Sequence, residues 1–226
     1  MLFLILVLAA CDPAVLKTAA LRADAFDLPG ALALARTAGD CDEAGGGVEL
    51  MEGLLGAREA VRTGGTPDSL RDVRSAANAL SRRAEGGERR WEVASMMMRA
   101  VAAASQYERD EMAIYLAEAT RIEVMLRAAN MPAVPFISAH ELAGDLWMQV
   151  HRFEDARTAY QRAADVVGRT GRVRLGLARA AARLVDRQSA CREYRSFLEW
   201  WGGRGETPAE VMEARTFVNS SCGGKP

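Results

Sequence analysis

The sequence predicts an all-α protein assembled from antiparallel helix hairpins stacked on one another. Three observations carry that expectation. The last third of the chain repeats itself at a spacing of 34 residues: Ala156, Tyr160 and Gly168 recur as Ala190, Tyr194 and Gly202, and Ala163 is answered by Phe197. A fixed period of this length marks a helix–turn–helix unit that needs its own copy beside it to bury an apolar face. Half of the residues are apolar, chiefly Ala, Leu and Val, and together with Arg and Glu they favour helix over strand. Glycine clusters (Gly45-Gly46-Gly47, Gly64-Gly65, Gly86-Gly87, Gly202-Gly203) fall at roughly one-helix intervals and read as helix ends, where a left-handed residue closes the last turn.

Residues 1–10, MLFLILVLAA, are wholly apolar and end in two small residues before Cys11. Ten residues match the hydrophobic region of a signal peptide and are too few to span a bilayer. Residues 11–26 read as a tether, and 27–129 as divergent helical hairpins. Within them, Leu50, Leu54, Leu55 and Val61 fall near one face, and Thr66-Pro67 is expected to open the next helix, threonine as cap and proline at the first helical position. Trp91, Ala94, Met98, Val101 and Ala102 recur at helical spacing, as do Met112, Leu116, Ala119, Ile122 and Leu126. The run Met96-Met97-Met98 shares the face of Trp91 and Val101 and so belongs to a core.

The stretch 130–137 holds Pro132 and Pro135, which forbid a continuous helix. Ser138 then opens a new one with Glu141 three residues on, the pattern of a capping box. Thr207-Pro208-Ala209-Glu210 repeats the device, and a helix over 207–220 is expected to cover the exposed end of the stack.

Leu8-Ala9-Ala10-Cys11 resembles the lipobox of bacterial lipoproteins. The resemblance implies cleavage before Cys11, lipidation of its thiol, and a chain tethered in the cell envelope, facing the periplasm or exterior. Asp12 is similar to the residue that keeps some such proteins on the inner membrane, and the leaflet is left open.

Residues 138–201 resemble two tandem tetratricopeptide repeats. Gly144 and Trp147 match the small and aromatic positions of the first helix A, and Ala156, Tyr160 and Ala163 match helix B. Leu177, Ala178, Ala190 and Tyr194 do the same in the second repeat. Ala143, Ala181, Gly168 and Gly202 depart from the pattern. The resemblance implies a right-handed superhelix whose concave side, lined by helix A of each repeat, binds other proteins. Its outward positions are Glu141, Asp145, Met148 and Gln149 in the first hairpin, and Arg172, Leu175, Arg179 and Arg183 in the second. The three arginines share a helical face and suit a partner's carboxylates; the alternative is a solvated face paired with acids such as Asp145.

Little points to chemistry. A net charge of −1 argues against a sequence-independent grip on nucleic acid. His140-Glu141 begins a zinc-protease motif, but Gly144 stands where the second histidine is needed. No phosphate-binding loop or nucleophile elbow occurs, so no cofactor is expected. The acidic clusters Asp40/Asp42/Glu43 and Glu108/Asp110/Glu111 read as loops and helix starts. In an exported chain, Cys191 and Cys222 are the leading disulfide candidates, with Cys41–Cys222 as competitor. The expectation is a non-catalytic envelope adaptor. An envelope hydrolase or its regulatory subunit, and a cytosolic repeat protein without lipid, are the alternatives.

Overall fold

Helix-forming composition and well-placed turn residues make the described part of the chain mostly helical. The computed structural model describes residues 12–24, 27–38, 42–63, 66–68, 70–203 and 207–223. Among these, eleven helices and no strand occur: α1 (Pro13–Asp24), α2 (Leu28–Ala35), α3 (Asp42–Thr63), α4 (Arg71–Ala84), α5 (Arg89–Ser105), α6 (Arg109–Ala128), α7 (Ala139–Gln149), α8 (Phe153–Val167), α9 (Gly171–Arg183), α10 (Arg187–Trp201) and α11 (Ala209–Ser221). Each helix packs on the next in sequence, and α3, α5, α7 and α9 also touch in succession. Helices α3, α5, α7 and α9 therefore form a continuous row with α4, α6 and α8 beside it.

Local chemistry sets the boundaries. At α7 the Ser138 hydroxyl accepts from the Glu141 amide and the Glu141 carboxylate accepts from the Ser138 amide, completing the expected box. Asp27, Thr170 and Asp186 cap α2, α9 and α10 in the same sense. Gly202, at φ 55°, closes α10.

Three hairpins turn alike. Tyr107, His151 and Val185 all sit at φ near 60°, and the residue after each donates its amide to a carbonyl five residues back: Glu108 to Ala103, Arg152 to Trp147, Asp186 to Ala181. The α5–α6 hairpin thus shares its turn with the two repeats, a kinship that sequence spacing suggests only by analogy.

One core runs from α1 to α8 around Leu50, Met51, Trp91, Met97, Met98 and Ile122. A second joins α9, α10 and α11 through Leu175, Tyr194, Phe197, Trp201 and Val211. Met97 and Met98 are fully buried, as their shared face with Trp91 predicts.

Four expectations need correction. The tether is a helix over its described part, since Leu16, Ala19 and Ala23 of α1 are buried and α1 pairs with α2. Gly45-Gly46-Gly47 lies inside α3 rather than at a helix end. A Cβ on Gly46 would stand 2.5 Å from the Trp91 ring, and one on Gly47 2.6 Å from Phe136, so the cluster serves close approach between elements. Thr66-Pro67 belongs to a turn, with Leu70 donating to the Thr66 carbonyl, and α4 starts only at Arg71. At α11 Pro208 is extended (ψ 164°) and no side chain caps the helix, so Thr207 falls one residue outside the site it was expected to fill. Cys11, Cys41, Gly64-Gly65 and Asp40, with the side chains of Asp42 and Glu43, lie outside what the structure describes.

Two substitutions test this geometry. Alanine in place of glycine stabilises an open helix by about 1 kcal/mol, but Gly46→Ala is expected to cost about 1–3 kcal/mol in urea unfolding, because the fully buried Trp91 cannot withdraw. Val185 is β-branched, 87% exposed and left-handed, a conformation that costs such residues about 1–3 kcal/mol. Val185→Asn is expected to raise stability by about 1 kcal/mol; an unchanged urea midpoint would contradict the strain.

Candidate interaction groove

Seven of the eight residues assigned to the groove meet at one cleft of about 620 Å³. Asp145, Met148 and Gln149 come from α7, and Arg172, Leu175, Arg179 and Arg183 from α9. The helical period places them there: Met148 and Gln149 follow Asp145 by three and four residues, and Arg172, Leu175, Arg179 and Arg183 of α9 follow one another by three or four. Leu175 forms the floor and is buried. Glu141, the eighth, does not line the cleft. Its carboxylate is buried, accepting from the Ser138 amide and from the Thr170 hydroxyl, each at 2.9 Å. Burial raises its pKa, partly offset by the Arg172 charge and these two hydrogen bonds.

Below the cleft lies the ring of Tyr160. Gly144 of α7 and Gly176 of α9 flank it so closely that a Cβ on either would come within 2.5 Å and 2.3 Å of the ring. Its hydroxyl donates to Asp145 Oδ1 at 2.6 Å, while Arg172 reaches Asp145 Oδ2 at 2.8 Å. Burial and the adjoining Asp145 carboxylate hold the phenol well above its usual range. One repeat further on, Tyr194 donates to Glu213 Oε1 at 2.8 Å, and Arg179 grips the same carboxylate through Nε at 3.0 Å and Nη2 at 2.5 Å. Asp145, Arg179 and Glu213 occupy one register position on three successive odd helices, as Tyr160 and Tyr194 do on two even ones. The result is a ladder in which each carboxylate takes one tyrosine and one arginine.

The arginines therefore do not stand open as a cationic face. Arg172 and Arg179 hold internal carboxylates, and Arg183 lies over the Phe153 ring at 5.4 Å. Tyr160, Gly176, His151 and Glu210 also line the cleft and escape the sequence reading, as does Glu213. The period that relates 145 to 179 points equally to 213.

His140 is buried, with Nδ1 2.8 Å from Glu123 of α6. His151 sits in the α7–α8 turn. Among the described residues no cluster of three or more His, Cys, Asp or Glu side chains could hold a metal ion. Cys191 and Cys222 are joined as a disulfide, beside a cleft of about 780 Å³ along α10. Arg187 and Arg195 line that cleft too, but they are turned toward the Ser221 and Cys222 carbonyls at the end of α11, where cations offset the helix dipole.

No protein-family model matches the chain, and neither a curated protein nor a solved structure is significantly similar to it. The likeness to tetratricopeptide repeats thus rests on the residues named above.

The Glu213 carboxyl is pushed up by burial, but the hydrogen bond and charge of Arg179, aided by Tyr194, outweigh this and hold it below its ordinary value. A depressed folded-state pKa contributes stability above the unfolded value, and that contribution is lost as pH falls through the depressed one. Lowering pH from about 7 to below about 4 is expected to reduce the urea midpoint of the wild type more than that of Glu213→Gln. Equal losses would show that the Arg179–Glu213 contact does not anchor α11.

Proposed function

We propose that this protein is a non-catalytic adaptor of the bacterial cell envelope, held to a membrane by lipid on Cys11, whose tetratricopeptide-like superhelix receives a segment of a partner protein. One observation supports the reading above the rest: the ladder of Asp145, Arg179 and Glu213, in register on successive helices and flanking one elongated cleft. A stack that repeats side chains at a fixed interval offers a peptide repeated contacts, whereas an enzyme needs unlike groups converging on one point. The paired charges add detail. Arg172 and Arg179 are already paired with Asp145 and Glu213, so the partner is recognised by shape and matched hydrogen bonds, with Met148 supplying apolar contact.

The anchor is argued from Leu8-Ala9-Ala10-Cys11 alone. Acyl chains on Cys11 contribute about 0.8 kcal/mol per buried methylene, and two or three chains give a stable hold. No helix among the described residues is long and apolar enough to cross a membrane.

Two measurements test this. Mass spectrometry of the mature protein is expected to find an N-terminal Cys11 carrying diacylglycerol, and an unmodified Met1 would end the anchoring proposal. Affinity capture from membranes should lose a specific partner in Met148→Arg/Gln149→Arg, with thermal unfolding unchanged. These residues are preferable to Arg179, whose replacement would also unfasten α11. Retention of the full set of partners by the double variant would remove the groove from the proposal.

A further inference from the structure

Helices α6, α7 and α8 bound a second cleft, of about 300 Å³, which shares no residue with the groove. At its base is His140, only 5% exposed. Its Nδ1 lies 2.8 Å from Glu123 Oε2, and Glu123, 1% exposed, also accepts the Ala139 amide at 3.2 Å. An ionised carboxylate is an acceptor only, so the proton between the two sits on Nδ1. Nε2 has no protein partner among the described residues, nor is it among the enclosed polar atoms that lack one. It therefore opens on the cleft that His140 lines.

Burying a histidine and a glutamate together costs desolvation energy that core packing alone does not require, since an apolar pair would fill the space. The Glu123 carboxylate fixes the tautomer and angle of the ring and so presents Nε2 in one direction. Around it the walls are mixed: Leu116, Ala159 and the partly exposed indole of Trp147 supply the apolar part, and Thr120 and Thr158 stand among them. At the rim stands Arg162, exposed and without a carboxylate partner among the described residues. Asp155, the one acid in the lining, is already held by Arg152 at 2.7 Å.

We propose that this cleft is a binding site for a small apolar carboxylate, whose oxygens lie between the Arg162 guanidinium and His140 Nε2, with one proton taken from solvent shared across the Nε2···O contact, and whose body rests on Trp147 and Leu116. An ammonium ligand would meet Arg162 with like charge, and a neutral one would leave it unanswered. The volume is at the small end of those that hold organic ligands, which limits the occupant to a single ring or a short chain.

The test uses the full chain, with phenylpropanoate and hexanoate as probes and phenylpropanamide as control, read by nitrogen-edited NMR of the His140 ring and the Trp147 indole. Saturable shifts at both residues with the carboxylates, absent with the amide, are expected. Arg162→Ala, a surface change that should leave thermal unfolding unaltered, is expected to weaken binding about tenfold or more. Glu123→Gln, where it folds, should do the same by releasing the ring. The proposal is overturned if neither carboxylate moves the His140 resonances, if the amide binds equally well, or if Arg162→Ala binds like the wild type.

Discussion

The groove depends on the space that two missing side chains leave for one ring. Tyr160 projects from α8 between α7 and α9, and it fits because Gly144 on one helix and Gly176 on the other present bare backbone to it. Close packing at native density allows no such ring beside two methyl groups. With the ring seated, its hydroxyl meets Asp145, Asp145 can receive Arg172, and α7 and α9 stand at the distance that opens a cleft between them. The second unit solves the same problem differently. There Tyr194 packs against Phe217 of α11, with ring centroids 4.6 Å apart, and a terminal helix with a single conventional face completes the row.

Features governed by neighbours in sequence are legible in the sequence itself. The Ser138–Glu141 box needs only residues three apart, and the α6 start just after Glu108 and the burial of Met97 and Met98 follow from local spacing. Features decided by distant partners are not. Gly45-Gly46-Gly47 has the composition of a helix terminus, and only Trp91 and Phe136, far along the chain, show why glycine is required within α3. The misplacement of Glu141 has a different cause. A carboxylate that reaches back to close a capping box cannot also face outward, so two expectations competed for one side chain, and the local hydrogen bond prevailed. The arginines share one helical face, but two of them are paired with internal carboxylates: Asp145, an alternative already open in the sequence, and Glu213, which lies one period beyond Arg179 on a helix outside the two repeats.

The two clefts differ in the physics they offer. Along the groove, Arg172 and Arg179 already have counter-charges, while Arg183 lies against a ring. In the cleft between α6, α7 and α8, one ring nitrogen is held in a fixed direction by Glu123 within a mixed lining. The same helix supplies both, through faces roughly a quarter-turn to a third of a turn apart: Asp145 and Met148 on one side, His140 and Trp147 on the other. Rigidity in α7, secured by its box and by Tyr160, therefore serves both surfaces.

Stacked arrays unravel from their ends, since a terminal unit has only one neighbour to hold it. Here the Cys191–Cys222 link ties the last helix to its neighbour across a sequence separation of 31 residues, a closure that the chain-entropy model values at about 3–4 kcal/mol. One margin is thus riveted, and peeling is left to begin at the α1 margin. Loss of structure then acquires a direction, in which the amino-terminal helices loosen while the ladder around Tyr160 is still intact.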